Sequence, residues 1–506
     1  MMGLTWYVLG LLTTGSVIGL WIISKKYTLN WMAWFGLSLG IVLILFSIAW
    51  GVGAVLEGVP RAGSMGMLLF GLPGIVFLTT TFRYITRRLA IRKTPEVRQK
   101  EREPATISTV TLQNVRPASP ANSGVWRILR YGAYVSLIAA FIFGMTTDNK
   151  DYESLIKAKY ADLELKKIND APVVFQVGEK VDGKGEYILI QEGQGYGGPF
   201  VFGIRIKDDA KIHEVIPLED KETPAFIKKI QEANYRNQFL ERNVFNNFIV
   251  GDDIDGVSGA TVTTMAATEA VRNGAHLVAV DYFKLKQTWA KTPWKFGLGE
   301  VLVLIIFFLA FSPLINKAPF RYIYMAISIG VIGFYLNAAI SIGSFSGLLM
   351  GYIPAVKTHL IWWVLVIGTI AAIIVTGKNV YCYKICPFYG VQFLLNKISG
   401  NRFNPSPAVL KKGSVVANVL LWSSLMVIFL TQHPATGAFE PFAMMFSLEG
   451  VGIQWYILPL AIIGSFFMSS FWCRFFCPAG SALSLLLKAR KKSVAFFMSK
   501  RKSLES

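Results

Sequence analysis

The sequence predicts a polytopic α-helical membrane protein of about nine transmembrane helices with one extracytoplasmic α+β domain. Of the 506 residues, 53% are hydrophobic, which is a high share for a soluble chain. One long polar segment, residues 147–295, interrupts the apolar stretches. The lysines and arginines gather in alternate connections between those stretches, as they do in membrane proteins.

Nine stretches are long and apolar enough to cross a bilayer, which requires about 20 residues. They lie near residues 4–23, 31–55, 64–83, 128–146, 297–315, 321–344, 358–377, 414–430 and 453–472. The polar segment between the fourth and the fifth is long enough for one domain. Its strand-like runs are 172–176, 187–191 and 200–206, and helical patterns occur at 224–241 and 264–279.

The distribution of cations predicts the orientation, because Lys and Arg accumulate in cytoplasmic loops. The connections after the first, third, fifth and seventh helices and the C-terminal tail are basic, whereas the opposite loops hold few cations. We therefore expect the N-terminus and the polar domain outside the cytoplasmic membrane, the C-terminus inside, and all four cysteines at the cytoplasmic face. The net charge of +20 reflects the same bias and does not predict nucleic-acid binding, since no base-reading motif accompanies it.

These features divide the chain into six expected parts. They are a three-helix unit at 1–88, a basic cytoplasmic linker at 89–127, a transmembrane helix at 128–146, the outer domain at 147–295, five transmembrane helices at 296–487, and a basic cytoplasmic tail at 488–506. The first apolar run lacks a basic n-region and a clear small-residue cleavage site, so we interpret it as a retained helix rather than a signal peptide.

A short run of small residues in the outer domain is the first candidate site. Ser258, Gly259, Ala260 and Thr261 follow Asp255 and precede a helical pattern. Small residues let the backbone approach a phosphate closely, and the N-terminus of the next helix favours the same anion. A threonine hydroxyl in such a cradle could be esterified to the phosphate of a flavin nucleotide. Taken alone, the run also fits a serine or threonine N-cap after a tight turn.

The run from Asp255 to Thr261 resembles the flavinylation motif of the extracytoplasmic FMN-binding domain, which occurs in sodium-pumping quinone reductase and Rnf subunits and in NosR-type proteins. Two upstream motifs resemble the same domain, namely the glycines Gly195, Gly197 and Gly198 and the pair Glu222 and Thr223. The resemblance implies that a separate flavin transferase attaches FMN covalently to Thr261 through a phosphoester. We expect Asp255 to orient the loop or help the transferase, and the glycines to bend a strand near the flavin. Glu222 and Thr223 either contact the flavin ring or cap a helix.

The four cysteines form one repeated pattern, Cys-x-x-x-Cys-Pro. Cys382 and Cys386 make the first pair, and Cys473 and Cys477 make the second. Cysteines at i and i+4 share one helical face, and the following proline breaks the helix. Four thiolates suffice for an iron–sulfur cluster or for a tetrahedral metal such as zinc, and the spacing does not choose between them. Four buried apolar thiols are the alternative, but the repetition favours a redox or metal role.

The order of an outer FMN domain, helices and two Cys-x-x-x-Cys-Pro motifs resembles the NosR/NirI family over roughly residues 128–487. NosR-type proteins usually continue into ferredoxin modules, whereas this chain ends in a basic tail. That departure matches the shorter relatives encoded beside reductive dehalogenases.

Residues 1–88 resemble the small membrane anchor of reductive dehalogenases, through the stretch 56–67 and the Phe70-Gly71 pair. In that family, the acidic loop between the second and third helices faces outward and holds the catalytic subunit. The resemblance therefore implies that Glu57 binds a partner. A generic three-helix bundle is the alternative.

These resemblances imply electron transfer, with quinol as donor, to an extracytoplasmic reductase, and a reductive dehalogenase is the favoured acceptor. An assembly or regulatory membrane flavoprotein, and a NosR-like donor to nitrous oxide reductase, stay open. We expect a redox component rather than a stand-alone enzyme, with no catalytic residue and with a quinone as a further cofactor. One difficulty is the hydrocarbon core of about 30 Å that would separate cytoplasmic cysteines from an outer flavin.

Overall fold

Helices make up most of the described chain, and one antiparallel sheet lies in the polar segment. The computed structural model describes residues 2–27, 29–57, 59–90, 124–147, 151–181, 184–195, 197–291, 294, 296–400, 405–450 and 452–505. Most of the expected linker at 89–127 therefore lies outside the described residues. The chain divides into two compact units, one of residues 1–129, 392–413 and 452–472, and the other of residues 130–391, 414–451 and 473–506. The boundaries of the six expected parts stay a prediction.

The α-helices follow one another closely along the described chain. They are α1 Met2–Lys26, α2 Trp31–Leu56, α3 Pro60–Gly66, α4 Leu72–Ala90, α5 Gly124–Thr147, α6 Tyr152–Lys159, α7 Pro224–Glu232, α8 Thr261–Asp281, α9 Leu298–Leu309, α10 Ala318–Ser328, α11 Ile342–Leu349, α12 Leu360–Trp362, α13 Gly368–Thr376, α14 Pro387–Ser399, α15 Pro407–Thr431, α16 Phe442–Ser447, α17 Gln454–Phe467, α18 Phe471–Phe475 and α19 Pro478–Glu505. Wider π-helical turns occur at Met67–Gly71, Ile329–Tyr335, Trp363–Ile367 and Tyr381–Ile385, and tighter 3₁₀ turns at Tyr235–Phe239 and Pro313–Asn316.

Six helical stretches in the described chain are long and apolar enough to cross a membrane. They are Tyr7–Lys25, Trp31–Leu56, Arg61–Ile85, Ile128–Lys159, Ala318–Tyr335 and Pro407–Thr431. Three shorter apolar helices, Leu298–Leu309, Leu360–Thr376 and Gln454–Phe467, fall where the remaining three stretches were expected. The prediction of a polytopic helical membrane protein is confirmed, whereas the count of nine crossings stays a prediction.

In the first unit, α4 packs along α2 through glycines that let the two backbones come close. A Cβ atom added to Gly40 would lie 2.7 Å from the Leu78 side chain, and one added to Gly74 would lie 3.0 Å from the Gly40 carbonyl oxygen. Small residues at such contacts are typical of packing between membrane helices, where dispersion replaces the hydrophobic effect. Asn30 caps α2, because its side chain accepts a hydrogen bond from the Ala33 N–H at 3.1 Å.

In the second unit, the polar segment forms a five-stranded antiparallel sheet in which sequential strands are neighbours. The strands are β1 Leu165–Asp170, β2 Val173–Val181, β3 Lys184–Gln194, β4 Pro199–Ile206 and β5 Ile212–Asp220, in the order β1-β2-β3-β4-β5. Helix α8 covers β3 and β4 on one face of the sheet. Ile156 and Tyr160 of α6 pack on the opposite face against Phe175, Ile188 and Ile216. The three strand-like runs of the sequence fall in β2, β3 and β4, whereas β1 and β5 were not predicted.

Candidate functional site

Thr261 is the first residue of α8, and it is exposed. The N-cap of this helix is Ala260, which has no side-chain oxygen, so the alternative of a serine or threonine N-cap is wrong. No described residue forms a hydrogen bond with the Thr261 hydroxyl. This hydroxyl therefore lies at a helix N-terminus, where the backbone N–H groups and the helix dipole favour an anion.

The backbone conformation of the residue that precedes the N-cap favours glycine. Gly259 has φ +73°, a left-handed conformation that other residues adopt only with strain. A Cβ atom added to Gly259 would also lie 2.7 Å from the Nζ atom of Lys229 on α7. The ammonium group of Lys229 thus faces the loop that precedes Thr261, where it could neutralise a phosphate ester. The sequence analysis missed Lys229, because its proximity depends on how α7 packs against α8.

A second cluster forms around the fully buried carboxylate of Glu222. Its Oε1 atom accepts hydrogen bonds from the N–H groups of Gly197 at 2.7 Å and Thr223 at 2.9 Å. A Cβ atom at Gly195 or Gly197 would collide with this carboxylate. Gly198 is equally confined, because a Cβ atom there would lie 2.6 Å from the Lys221 carbonyl oxygen. Glu222 therefore holds the β3–β4 turn against the start of α7, which the sequence analysis had not considered.

The two clusters border one region of the outer domain. A Cβ atom at Gly193 would collide with the carbonyl oxygen of Ala266, so β3 and α8 are in direct backbone contact beside the β3–β4 turn. Along α7, Thr223 at the N-cap and Lys229 are six residues apart, or about 9 Å. The structure thus brings together the β3–β4 turn, Glu222 and the loop before Thr261, around α7 and the beginning of α8. The Thr223 side chain makes no capping hydrogen bond to α7.

Residues from other segments hold this region in place. The Tyr235 hydroxyl contacts the Thr264 carbonyl oxygen at 3.1 Å and the Thr268 hydroxyl at 2.6 Å, and burial raises the pKa of Tyr235 to about 12. The Asp255 backbone is fixed from both sides by the Gln238 amide, which accepts from its N–H at 2.8 Å and donates to its carbonyl oxygen at 3.2 Å. The Asp255 residue itself is exposed, and its expected role of orienting the loop or helping the transferase stays a prediction.

The first cysteine motif lies in a π-helical turn followed by a break. Cys382 is within the turn Tyr381–Ile385, and the Cys386 N–H donates to the Tyr381 carbonyl oxygen at 2.8 Å. The helical turn ends before Cys386, and α14 starts at the following proline. The Tyr381 hydroxyl accepts a hydrogen bond from the Ile340 N–H at 2.7 Å, and Ser328 donates to the Ile385 carbonyl oxygen. These contacts bury the motif among the segments around α10 and α11.

The second motif lies between α18 and α19. Cys473 belongs to α18, and Cys477 immediately precedes the first residue of α19. The Gly480 N–H donates to the Cys477 sulfur at 3.2 Å. Cys386 and Cys477 are buried, and Cys382 and Cys473 are partly exposed.

A buried acid from another loop lies beside the second motif. The Glu440 carboxylate accepts hydrogen bonds from the Ile342 N–H at 2.8 Å and from the Ala479 backbone, and it interacts electrostatically with Cys477. The distribution of Lys and Arg predicts an outer position for the loop that contains Glu440 and a cytoplasmic position for Cys477. The structure makes them neighbours, because the loop after α15 folds back against the segment that contains the motif.

The four thiols suit an iron–sulfur cluster by their chemistry. All are free cysteines, and Cys477 interacts electrostatically with both Cys473 and Cys382. Backbone N–H groups point at the sulfurs, at Gly480 for Cys477 and at Phe388 and Tyr389 for Cys386, and such donors stabilise cluster thiolates. Within the described ranges, however, no three His, Cys, Asp or Glu side chains converge closely enough to hold a metal ion.

Glu57 is exposed at the C-terminal end of α2, where its N–H closes the last turn by donating to Gly53. The helix dipole disfavours a carboxylate at this end, so the acid does not stabilise α2. The expected loop after it is partly helical, since α3 begins at Pro60.

Three family models match the chain in this order. They are the chloroethene reductive dehalogenase membrane anchor protein over residues 4–89, the FMN-binding domain over 195–276, and the 4Fe-4S binding domain over 358–406 and 452–496. The second match contains the β3–β4 turn, Glu222 and Thr261, and the third contains all four cysteines. FMN and an iron–sulfur cluster are therefore supported as the cofactor types of these domains.

Two curated relatives are similar to part of the chain. Regulatory protein NosR of Pseudomonas aeruginosa is 25% identical over 230 residues, which are 40% of this chain and 31% of NosR. Protein NirI of Paracoccus denitrificans is 25% identical over 184 residues, which are 33% of this chain and 26% of NirI. The chain thus spans less than a third of the length of either relative. Together with the three family matches, these relatives show that the chain is similar to NosR/NirI-type FMN-binding membrane proteins and that its N-terminus is like that of a dehalogenase membrane anchor.

Proposed function

We propose that this protein is a membrane electron-transfer flavoprotein that passes electrons from quinol to an extracytoplasmic reductase, with FMN bound covalently to Thr261. The observation that carries the proposal is the exposed Thr261 hydroxyl at the start of α8, beside the Gly259 loop and the Lys229 cation. Bound FMN supplies chemistry that accepts two electrons together and releases them singly. The task of the chain is to fix that group by its phosphate and to place it near a donor and an acceptor.

The favoured acceptor is a reductive dehalogenase, and the anchor-like helices support that choice. The family that matches residues 4–89 is named for anchoring such an enzyme. Glu57 in the connection after α2 is exposed and gains nothing from the helix dipole, which is consistent with a role toward a partner.

A short helix supports a direct relation between the cysteine motifs and the β3–β4 turn of the outer domain. Helix α11 begins at Ile342, which is bonded to Glu440 beside Cys477. Five residues later, a Cβ atom at Gly347 would lie 3.7 Å from the Gly197 carbonyl oxygen in the β3–β4 turn. Those five residues rise about 7.5 Å, which is a small part of the hydrocarbon thickness of about 30 Å. A cluster on the four cysteines would supply one-electron storage at the other end of this helix.

The proposed topology places the N-terminus and the FMN domain outside and the C-terminus in the cytoplasm, as the distribution of Lys and Arg favours. Maturation then requires a flavin transferase in the same outer compartment. Cysteine-accessibility labelling in whole cells of single-cysteine variants at Ser258 and Ser503 tests this topology. Labelling of the Ser503 variant but not the Ser258 variant by an impermeant reagent would reverse it.

The experiment that tests the function uses the purified, flavinylated full chain in lipid nanodiscs. Menadiol is mixed with the protein, and flavin bleaching is followed by stopped-flow absorbance. The reduced protein is then mixed with a purified corrinoid and iron–sulfur dehalogenase, and reoxidation is followed. We expect both phases to be faster than steady-state dehalogenation. If quinol leaves the flavin oxidised, electron transfer from quinol is the wrong assignment.

An assembly or regulatory role is the second candidate, and the name of the curated relative NosR, a regulatory protein, favours considering it. The same experiment separates the two roles. A flavin that cycles too slowly to sustain dehalogenation, in a protein whose deletion lowers the amount of mature dehalogenase, supports assembly.

A further inference from the structure

A cavity of about 350 Å³ lies between the outer domain and the segment after α11. Its size falls within the range of roughly 300–1,000 Å³ that is typical of small-molecule sites. Pro172, Ile190, Pro199 and Val201 contribute apolar walls, and Tyr152, Glu219, Lys221 and Tyr352 contribute polar groups. Apolar walls with a few convergent polar groups suit an aromatic ring that carries hydroxyl groups.

The polar groups form one connected cluster that is mostly buried. Lys221 is 4% exposed and Glu219 is 8% exposed, which is unusual for charged residues. The Lys221 ammonium donates to the Tyr352 hydroxyl at 3.0 Å and lies 3.9 Å from the Glu219 carboxylate. The Tyr152 hydroxyl donates to the same carboxylate. Donors and an acceptor are thus held in fixed positions around the cavity, and Glu192 lies exposed on its wall.

Two residues on the cavity wall are chain neighbours of residues in the flavin region. Pro199, on the cavity wall, directly follows Gly198 of the β3–β4 turn, and Lys221 directly precedes Glu222. Ile190 packs on the α6 side of the sheet, whereas Gly193 contacts α8. The two sites therefore lie on opposite faces of the sheet, at the end where β3 meets β4. Successive residues of a strand point to opposite faces, which explains this arrangement.

The segment that carries Tyr352 offers an approach from lipid. Leu349, Ile353 and Val356 are 62%, 47% and 39% exposed, although they are apolar. They surround Tyr352 in the connection between α11 and α12. An apolar tail could lie along these side chains while the ring enters the cavity.

We propose that this cavity binds the aromatic head group of the membrane quinol, with Lys221 and Tyr352 holding its oxygen atoms and Glu219 receiving a proton. This assignment rests on the proposed function, because the flavin is the acceptor. On oxidation, the two O–H bonds of the quinol break and a quinone forms. Two electrons pass to the flavin, which takes up a proton from solvent as it is reduced, and the two quinol protons leave through Glu219 and Glu192 to solvent.

The test compares the full chain with three variants in nanodiscs. Lys221→Met and Tyr352→Phe alter the cavity, whereas Lys228→Met is the matched control. Lys228 also joins the outer domain to the helical part, through an ion pair with Glu449 at 3.1 Å, but it does not line the cavity. Retained in-gel flavin fluorescence reports that each variant is folded and flavinylated.

Two readouts decide the proposal. Flavin reduction by menadiol should slow by about tenfold or more in Lys221→Met, equivalent to about 1.4 kcal/mol, while reduction by dithionite is unchanged. A photoactivated azido-naphthoquinone should label peptides that contain Tyr352 or residues 190–201, and Lys221→Met should reduce that labelling.

The outcomes separate this inference from the proposed function. Equal slowing in Lys228→Met would show that Lys221 and Lys228 only hold the outer domain in place. Wild-type rates in both cavity variants would also overturn the site. If menadiol fails to reduce the wild-type flavin, the proposed function fails, and photolabelling then decides the cavity alone. Labelling confined to other peptides would overturn the site in either case.

Discussion

The buried carboxylate of Glu440 accepts a hydrogen bond from the backbone N–H of Ile342 at 2.8 Å. It also bonds the backbone of Ala479, so one carboxylate meets the N-terminal ends of α11 and α19. Both helix dipoles favour a negative charge at this place. Since Cys477 directly precedes α19 and α11 reaches the β3–β4 turn at Gly197, Glu440 links the second cysteine motif to the outer domain.

We predict that Glu440→Ala lowers the stability of the full chain by about 1–3 kcal/mol, because buried N–H groups lose their acceptor. Glu440→Gln retains an acceptor oxygen of the same size and should have a smaller effect. Thermal unfolding in detergent, followed by circular dichroism, measures the difference.

Glu449→Ala is the control for this comparison, because Glu449 is also a buried acid between α15 and α17 but bonds Lys228. The alanine variant at Glu440 should also change the electron paramagnetic resonance spectrum of the iron centre, whereas the Glu449 variant should not. Identical spectra and unfolding midpoints for Glu440→Ala and the wild type would refute the bridging role.

Thr261→Ala should abolish the in-gel flavin fluorescence of the denatured protein. Only a covalent flavin survives denaturation, and the variant removes the proposed acceptor hydroxyl. Thr261→Ser retains a hydroxyl and should retain fluorescence. Thr263→Ala is a matched control, because the Thr263 side chain is fully buried and its hydroxyl is inaccessible to a transferase. A fluorescent band in Thr261→Ala would place the flavin on another residue.

The sequence was most informative where a requirement is local. A left-handed glycine, a small-residue loop and a helix start adjoin one another in the chain at Gly259 to Thr261, so their pattern could be recognised. Lys229, Tyr235 and Gln238 were missed because they reach the same loop only after α7 and the following turn have packed.

Two strands escaped prediction for similar reasons. β1 carries Lys166, Lys167 and Asp170, as an edge strand does, and β5 contains Pro217, which weakens a strand pattern. A charge count also could not predict the contact of Glu440 with the second cysteine motif. Counting cations assigns the ends of helices to membrane sides, but it does not show that a loop folds back among them.

Replacing all four cysteines with serine should remove the bound iron and leave the flavin on Thr261. Serine keeps the side-chain size but ligates iron poorly compared with a thiolate. Elemental analysis gives iron per chain, and in-gel fluorescence gives flavin per chain. Since free iron can adhere to a basic protein, Cys386→Ser and Cys477→Ser are each measured alone and should lower iron as well. An unchanged iron content in the fourfold variant would contradict the cluster. Zinc bound to the wild type would instead indicate a zinc site.

The stability of the outer domain should decrease as pH falls from 6.5 to about 4, in part because of His276. Its Nε2 atom lies 2.8 Å from the Asn246 carbonyl oxygen, and its ring stacks on Trp289 with centroids 4.0 Å apart. Burial, assisted by the Arg272 cation, lowers the pKa of His276 from 6.5 to about 4. Between these values the unfolded chain binds a proton that the folded domain does not, so the free energy of unfolding falls with pH.

His276→Gln removes this titration while keeping an amide that can donate to Asn246. The full chain and the variant are unfolded thermally at several pH values, with flavin fluorescence reporting on the outer domain. Between pH 7.5 and 4, the free energy of unfolding should fall by about 1–2 kcal/mol more in wild type than in the variant. This figure is reduced for the partial solvent exposure of the ring. At pH 7.5 the His276 ring is neutral in both the folded and the unfolded chain. The difference in stability between wild type and variant at this pH therefore gives the pH-independent effect of the substitution. Parallel curves for the two proteins would show that His276 does not couple folding to protons.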